Sequence, residues 1–154
     1  MMNRREAAIR LGAIAGAAVL LPRVAGAQTK VAIVVYKDPS CGCCSKWVEH
    51  LQSNGFMASV KETTDIEPIK VRYHVTPELR SCHTAVVGGY AIEGHVPAAD
   101  IKRLLAAKPP GIAGLTIPGM PASAPGMDGT PFVAYTVLSF DAKGTTAVFA
   151  QHRA

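Results

Sequence analysis

The stretch VAIVVYKDPSCGCCSKWVEHL, residues 31–51, is the part of the sequence that is most informative about the fold. Its first six residues are a continuous apolar run rich in β-branched side chains, which predicts a strand buried on both faces. A turn with a proline ends the run, and Ser40 is the predicted N-cap of the helix that follows. Trp47 and Leu51 share one face of that helix. Three cysteines, in the sequence CGCC at 41–44, therefore lie where a strand gives way to a helix.

The chain beyond this stretch alternates between strand and helix patterns. Asn54-Gly55 ends the first helix, Gly88-Gly89 predicts a tight hairpin, and Pro97 precedes a helix. The predicted elements are strands over 56–61, 84–87 and 90–92 and helices over 65–73 and 98–107. The order β-α-β-α-β-β-α, with Cys-x-x-Cys between the first strand and the first helix, indicates an α/β domain with a thioredoxin-like fold.

Residues 108–131 have a different composition from the rest of the chain. They contain six prolines, five glycines and two methionines, and they show no clear period. This pattern predicts a long Pro/Gly-rich loop, a kind of segment that is usually functional or disordered. Strand patterns over 132–140 and 145–149 then predict a C-terminal β-hairpin.

Residues 1–27 predict a cleaved export signal. Arginines precede an apolar run of eleven residues, 11–21, and Ala25-Gly26-Ala27 supplies the small residues of a cleavage site. Such a run spans about 16 Å as a helix, which is too short for a membrane core of about 30 Å. The adjacent pair Arg4-Arg5 also fits the twin-arginine route. We therefore expect one domain, residues 28–154, in the periplasm and outside the membrane.

The charge of that domain argues against nucleic acid as a partner. The leader holds four of the sixteen basic residues, which leaves 12 basic and 10 acidic side chains and a net charge of +2. The basic isoelectric point of the whole chain therefore reflects mostly the leader. The remaining sequence has no basic patch with interleaved aromatic residues, so we expect no nucleic-acid binding.

All four cysteines, Cys41, Cys43, Cys44 and Cys82, belong to the predicted domain. An even number in an exported protein usually indicates structural disulfides. Three of these cysteines lie within four residues, however, and a bond between Cys41 and Cys44 would close almost no loop. The spacing therefore favours chemistry over stabilisation. At a helix N-terminus, free N–H groups and the helix dipole favour the thiolate, which is both a nucleophile and a ligand of soft metals.

The sulfur of Cys43 distinguishes a disulfide-exchange site from a metal site. Disulfide exchange needs an attacking and a resolving cysteine and has no role for Cys43, whereas a metal site gains from every thiolate. Adjacent Cys43 and Cys44 fit a single tetrahedral zinc ion poorly, and the spacing differs from iron–sulfur patterns. Thiolates can bridge copper(I) ions, so a polynuclear copper(I) cluster held by the four cysteines is the favoured prediction.

Four further side chains are candidate accessory ligands: His83, His95, Met120 and Met127. Strand alternation would place His83 on the opposite face from Cys82, so we expect His83 to lie behind the ligands. His95 fits a hydrogen bond at the start of a helix and a site role equally well. The two methionines fit weak copper ligands or apolar packing, and packing is slightly favoured. His152 lies near a terminus that we expect to fray.

Three stretches carry a resemblance to a known family: CGCCSKWVEHL (41–51), SCHTAVVGGYAIEGHVP (81–97) and GLTIPGMPASAPGM (114–127). Together they resemble the CopG-type periplasmic copper-resistance family, thioredoxin-like proteins long catalogued as a domain of unknown function. The resemblance implies a thioredoxin-like fold, export, and copper held at the four cysteine positions. It also implies a part in copper redox conversion.

Three functions stay open at this point. The first is a copper(I)-binding protein for copper resistance or handling, with copper ions and other periplasmic copper-handling proteins as partners. The second is a copper or thiol-disulfide oxidoreductase in which Cys41 and Cys44 are the redox pair. The third is a structural module stabilised by zinc.

Overall fold

The computed structural model describes residues 30–154, and the predicted export signal, residues 1–27, lies outside them. None of the helices within 30–154 combines the length and the apolar character that a membrane span requires. The described elements are β1 (Val31–Lys37), α1 (Gly42–Ser53), β2 (Phe56–Glu62), α2 (Glu67–Arg72), a 3-10 turn (Pro77–Leu79), β3 (Thr84–Val87), β4 (Tyr90–Glu93), α3 (Ala98–Ala107), β5 (Gly114–Thr116), β6 (Tyr135–Phe140) and β7 (Thr146–His152).

The seven strands within residues 30–154 form one mixed sheet in the order β2-β1-β3-β4-β5-β6-β7. Strand β1 is parallel to β2 and antiparallel to β3, and β3 and β4 form the predicted hairpin. Strand β5 is parallel to β4, and β5, β6 and β7 follow one another antiparallel. The predicted α/β class is confirmed, as is the order of the elements up to α3.

The main core lies between the sheet and helices α1 and α3. It includes Trp47 and Leu51 from α1 and Ile101 from α3. A second, smaller cluster contains Ala91, whereas its neighbour Ile92 belongs to the main core. Because successive residues of a strand point to opposite faces, the two clusters lie on opposite sides of the sheet.

Strand β1 is buried mainly on one face, so the prediction of a strand buried on both faces is wrong. Ile33, Val35 and Lys37 are buried, and the residues between them are partly exposed. The reason is that the main core packs against one face of β1, whereas the smaller cluster lies further along the sheet, under β4 and β6.

Helix α1 begins at Gly42, with Cys41 at the N-cap position, so the predicted N-cap Ser40 is wrong. The Ser40 amide donates a hydrogen bond to the Asp38 carboxylate at 2.8 Å, and its hydroxyl contacts the same oxygen. Asp38 and Ser40 thus form a local turn one residue before the helix starts. This turn places Cys41 directly at the helix N-terminus.

The Pro/Gly-rich segment contains a strand that the sequence did not reveal. Strand β5 is three residues long and lies between β4 and β6, so the C-terminal hairpin continues the same sheet. His152 ends β7, and its Nε2 lies 2.7 Å from Asp100 Oδ2 on α3. The expectation that His152 lies on a frayed end is therefore wrong, because strand pairing and this contact hold it.

Strand β5 passes close to β4 and β6 at Gly114, and we predict that Gly114→Ala destabilises the protein. A Cβ at this position would overlap the Ala91 carbonyl oxygen and lie 2.7 Å from Phe140 Cζ. Overpacking of this kind costs about 1–3 kcal/mol of unfolding free energy. At Gly42 a Cβ meets nothing within 4 Å, so Gly42→Ala is the matched control and should not destabilise. Urea unfolding measures the unfolding free energy of both variants, and equal stability of the two would contradict the prediction.

Candidate metal centre

The start of α1 carries the three cysteines of the CGCC motif, with Cys41 at the N-cap and Cys43 and Cys44 in the first turn. Cys44 points into the core and is fully buried, and the other two are partly exposed. Trp47 lies about one turn further along, and its Nε1 donates a hydrogen bond of 2.9 Å to the Val96 carbonyl. This bond ties the cysteine-bearing end of α1 to the segment between β4 and α3.

Cys41 and Cys44 are joined by a disulfide, and Cys43 and Cys82 are free. A bond between residues three positions apart closes almost no loop and adds little stability, and it joins the two cysteines that the redox interpretation names. The two Cα atoms are 5.4 Å apart, as the first turn of a helix allows, which is within the usual range for a disulfide. Cys43 Sγ lies 3.6 Å from Cys41 Sγ, so the third sulfur of the motif lies beside the bridge.

Cys82 approaches the same place from a different part of the chain. It lies just before β3, and the Sγ atoms of all four cysteines are within 4.8 Å of one another. Burial raises the pKa of the Cys82 thiol to about 11, and the neighbouring Cys43 adds to the shift. The thiol is therefore neutral near pH 7 and would release its proton when it binds a metal.

Two histidines extend this group of sulfurs. Cys44, Cys82, His83 and His95 form a second set whose donor atoms lie within 4.8 Å of one another. His83 Nδ1 is 3.4 Å from Cys82 Sγ, so the prediction that the two side chains point to opposite faces is wrong. The reason is that β3 begins only at Thr84, and the alternation of a strand does not apply to the two residues before it.

Both imidazoles are buried, which favours their neutral form. Burial holds the pKa of His83 well below its usual range, and the neighbouring His95 lowers it further. Burial also lowers the pKa of His95, although the hydrogen bond to Pro125 opposes this shift. A neutral imidazole is the form that binds metals. The rings also pack together, with centroids 4.4 Å apart for Trp47 and His83 and 5.0 Å apart for the two histidines.

Each imidazole also has a nitrogen without a hydrogen-bond partner among residues 30–154, namely Nε2 of His83 and Nε2 of His95. His95 Nδ1 lies 2.7 Å from the Pro125 carbonyl oxygen, which can only accept, so Nδ1 carries the proton. The Nε2 atom of His95 therefore has a free lone pair. Buried polar atoms almost always have a partner, so the donor chemistry at this place fits a bound metal ion.

The Pro/Gly-rich segment lies across the first turn of α1. A Cβ on Gly126 would lie 2.8 Å from Trp47 N and 3.1 Å from Cys43 O, so only a glycine allows this close approach. Lys46 Nζ and Asp128 Oδ2 are 2.6 Å apart and join the same two segments. Met127 packs against the main core, whereas Met120 is 51% exposed. Gly126 therefore lies against the backbone of the first turn of α1, Met127 packs against the core, and Met120 is exposed.

Two parts of this centre were not predicted from the sequence: the Trp47 ring that packs against His83, and the Pro125 carbonyl that orients His95. Trp47 was visible only as one member of the apolar face of α1. The Pro125 carbonyl is a backbone group, and only the path of the chain brings it to His95. The complete arrangement offers four sulfurs and two imidazole nitrogens, which is a donor set for soft and borderline metals.

Part of the chain matches a known family model. Residues 79–127 match the model of a protein family of unknown function, DUF411. No curated protein sequence matches the chain significantly.

Two solved structures of the copper resistance protein CopG are similar to the chain over almost their whole length. Form 1 is 38% identical with a TM-score of 0.75, and the match covers 81% of this chain and 99% of that one. Form 2 has the same identity and TM-score, with 80% and 99% covered. At this identity and coverage, the chain belongs to the family of the copper resistance protein CopG.

Proposed function

We propose that this protein is an exported copper(I)-binding protein that contributes to copper resistance or handling. The ligands are the thiolates of Cys41, Cys43, Cys44 and Cys82. The observation that carries the proposal is the convergence of four sulfurs from two parts of the chain within 4.8 Å of one another. Thiolates select copper(I), and four of them exceed the needs of one ion, so reduced protein binds more than one copper.

The proposed copper-binding form is the reduced one. A disulfide sulfur is not a thiolate, so the bond between Cys41 and Cys44 must first take up two electrons and two protons from a thiol reductant. The two thiols then lose their protons to solvent as copper binds. The leader pattern of residues 1–27 supports a periplasmic location, and the similarity to CopG supports copper as the metal.

We also propose that His83 and His95 complete the centre as accessory ligands through Nε2. Their support is the absence of any hydrogen-bond partner for these two buried atoms within residues 30–154. The packing of both rings against each other and against Trp47 limits their rotation. A donor that is already oriented loses little entropy on binding, so each imidazole adds affinity at low cost.

A second candidate function is a copper or thiol-disulfide oxidoreductase. It is favoured by one observation, the disulfide between Cys41 and Cys44 at the N-terminus of α1. We infer a thioredoxin-like core for the part of the chain from β1 to α3, supported by the strand order β2-β1-β3-β4 and by the packing of α1 and α3 in one core. Cys82 distinguishes the two functions, because a simple disulfide exchange does not use it.

We predict that Cys82→Ser lowers the number of copper(I) ions bound and weakens their affinity by at least about tenfold, since a hard oxygen replaces a soft ligand. The metal-free fold should be almost unchanged. Copper should no longer raise the melting temperature as it does in the parent, because that effect follows from binding to the native state. Anaerobic titration against a chelator measures the number and affinity of the copper(I) ions, and thermal melts measure the stabilisation by copper. Unchanged copper binding together with unchanged disulfide reduction would favour the oxidoreductase.

We predict that His95→Phe weakens copper binding without unfolding the protein. The Phe ring can keep the packing against His83 and Trp47, and the substitution removes a buried nitrogen that has no partner within the described chain. Removing Nε2 costs little stability, and the loss of the Nδ1 hydrogen bond to the Pro125 carbonyl costs about 1–3 kcal/mol, which is less than the stability of a typical domain. The matched control is His74→Asn, since His74 is exposed and has a positive φ that Asn tolerates. Equal copper affinity of both variants in a chelator titration would exclude His95 as a ligand.

We predict that Met127→Leu speeds the loss of copper to a chelator, whereas Met120→Leu does not. Met127 follows the glycine that lies against the first turn of α1, and Met120 is 51% exposed. Leu has nearly the volume of Met, so the fold should be retained and only the thioether lost. Stopped-flow transfer of copper(I) to a chelator measures the rates. Identical rates for both variants and the parent would leave both methionines as packing residues.

A further inference from the structure

Two charged side chains, Lys70 and Glu93, are buried beside the metal centre without belonging to either set of donor atoms. The side chain of Lys70 on α2 is 5% exposed, and that of Glu93 at the end of β4 is fully buried. The two groups form an ion pair. A buried ion pair is seldom more stable than apolar residues of the same volume, so stability alone does not account for it.

Both members of the pair hold the backbone of Ser81, the residue before Cys82. The Ser81 amide donates a hydrogen bond of 2.6 Å to Glu93 Oε1, and the Ser81 carbonyl accepts one of 3.1 Å from Lys70 Nζ. The Ser81 hydroxyl donates to the Gly119 carbonyl at 2.8 Å, in the Pro/Gly-rich segment. All the polar groups of Ser81 are thus used, and they fix the backbone from which Cys82 extends.

The same carboxylate also fixes the chain on the other side of Cys82. Thr84 Oγ1 donates to Glu93 Oε2 at 2.6 Å and accepts from Lys70 Nζ at 3.2 Å. The amide of Gly94 donates to the His83 carbonyl at 3.0 Å. Cys82 and His83 therefore lie between two anchored residues, and the strand that supplies the anchor leads directly to His95.

Gly94 permits this arrangement. Its φ is +73°, and a Cβ there would lie 2.6 Å from Ser81 Oγ and 3.1 Å from the Ile117 carbonyl oxygen. Only a glycine allows the two ligand-bearing segments to approach so closely. Lys70 and Glu93 then hold the two segments together through charged hydrogen bonds, which are stronger and more directional than neutral ones.

We propose that Lys70 and Glu93 are positioning residues of the metal centre, which hold the Cys82–His83 segment against the cysteines of α1. This inference rests on the proposed function for its metal-binding consequence. Among residues 30–154, the pair makes its hydrogen bonds to Ser81 and Thr84 and none to a donor atom of the centre. It acts through Ser81 and Thr84, and its loss would leave the cysteines present but the fourth sulfur poorly placed.

The first test is the accessibility of Cys82 in the reduced, metal-free protein. Glu93→Gln and Lys70→Met each remove one charge and keep the shape of the side chain. Each should raise the alkylation rate of Cys82 by iodoacetamide, and each should lower copper(I) affinity by about tenfold, the lower end of the loss typical of a supporting residue. The double variant should be no worse than either single variant, because the two groups act as a unit.

The matched control is Asp100→Asn, which also changes a buried carboxylate to an amide. Asp100 contacts Arg103 and His152, and neither belongs to the centre. It should lose stability and keep the alkylation rate of Cys82 and the copper affinity of the parent. If Glu93→Gln does not fold, Thr84→Val carries the test, since it removes one hydrogen bond to the same carboxylate and should act in the same direction.

The positioning role is overturned if Cys82 of the folded variants is alkylated at the rate of the parent, or if Asp100→Asn changes alkylation and copper affinity equally at the same loss of stability. Alkylation needs no metal, so this result is independent of the proposed function. If instead the parent binds no copper(I), the proposed function fails, and the alkylation rates still decide whether the pair positions Cys82.

Discussion

The antiparallel pairing of β1 with β3 is the constraint on which the metal centre depends. Its register sets Tyr36, near the end of β1, opposite Thr84, the first residue of β3. The turn after β1 and the segment before β3 therefore lie at the same edge of the sheet. One carries CGCC and the other carries Cys82 and His83, so a few backbone hydrogen bonds bring together residues about 40 positions apart in the chain.

Each further strand adds one part to the same edge. Strand β4 pairs Glu93 with Thr84, and the chain continues from there to His95. Strand β5 runs parallel to β4, so its end also faces this edge, and the Pro/Gly-rich segment leaves from it across α1. The centre is therefore enclosed by neighbouring elements of one sheet. This enclosure accounts for the burial that favours the neutral form of both imidazoles and raises the pKa of Cys82.

Patterns that depend on neighbouring residues were predicted well. The hairpin around Gly88-Gly89 and the helix over 98–107 were located closely, because turn chemistry and helical periodicity are local properties. Strand β5 was missed because three residues among prolines and glycines have no detectable period. Ser40 was misassigned because a nearby acceptor, Asp38, competes with the helix for its hydrogen bonds. The predicted position of His83 was wrong because the alternation of side chains along a strand was applied to a residue before the start of β3.

Residue type and short-range spacing were sufficient to predict the α/β class and the order of most elements, and to identify the four cysteines as candidate ligands of a soft metal. Three features became visible only in the folded chain: the two buried imidazoles lie beside the sulfurs, Cys41 and Cys44 are bonded, and Lys70 and Glu93 hold the Ser81 backbone. These are relations between side chains, and in most cases between residues distant in sequence. Strand register and helix packing set the distances, and neither can be read from one segment alone.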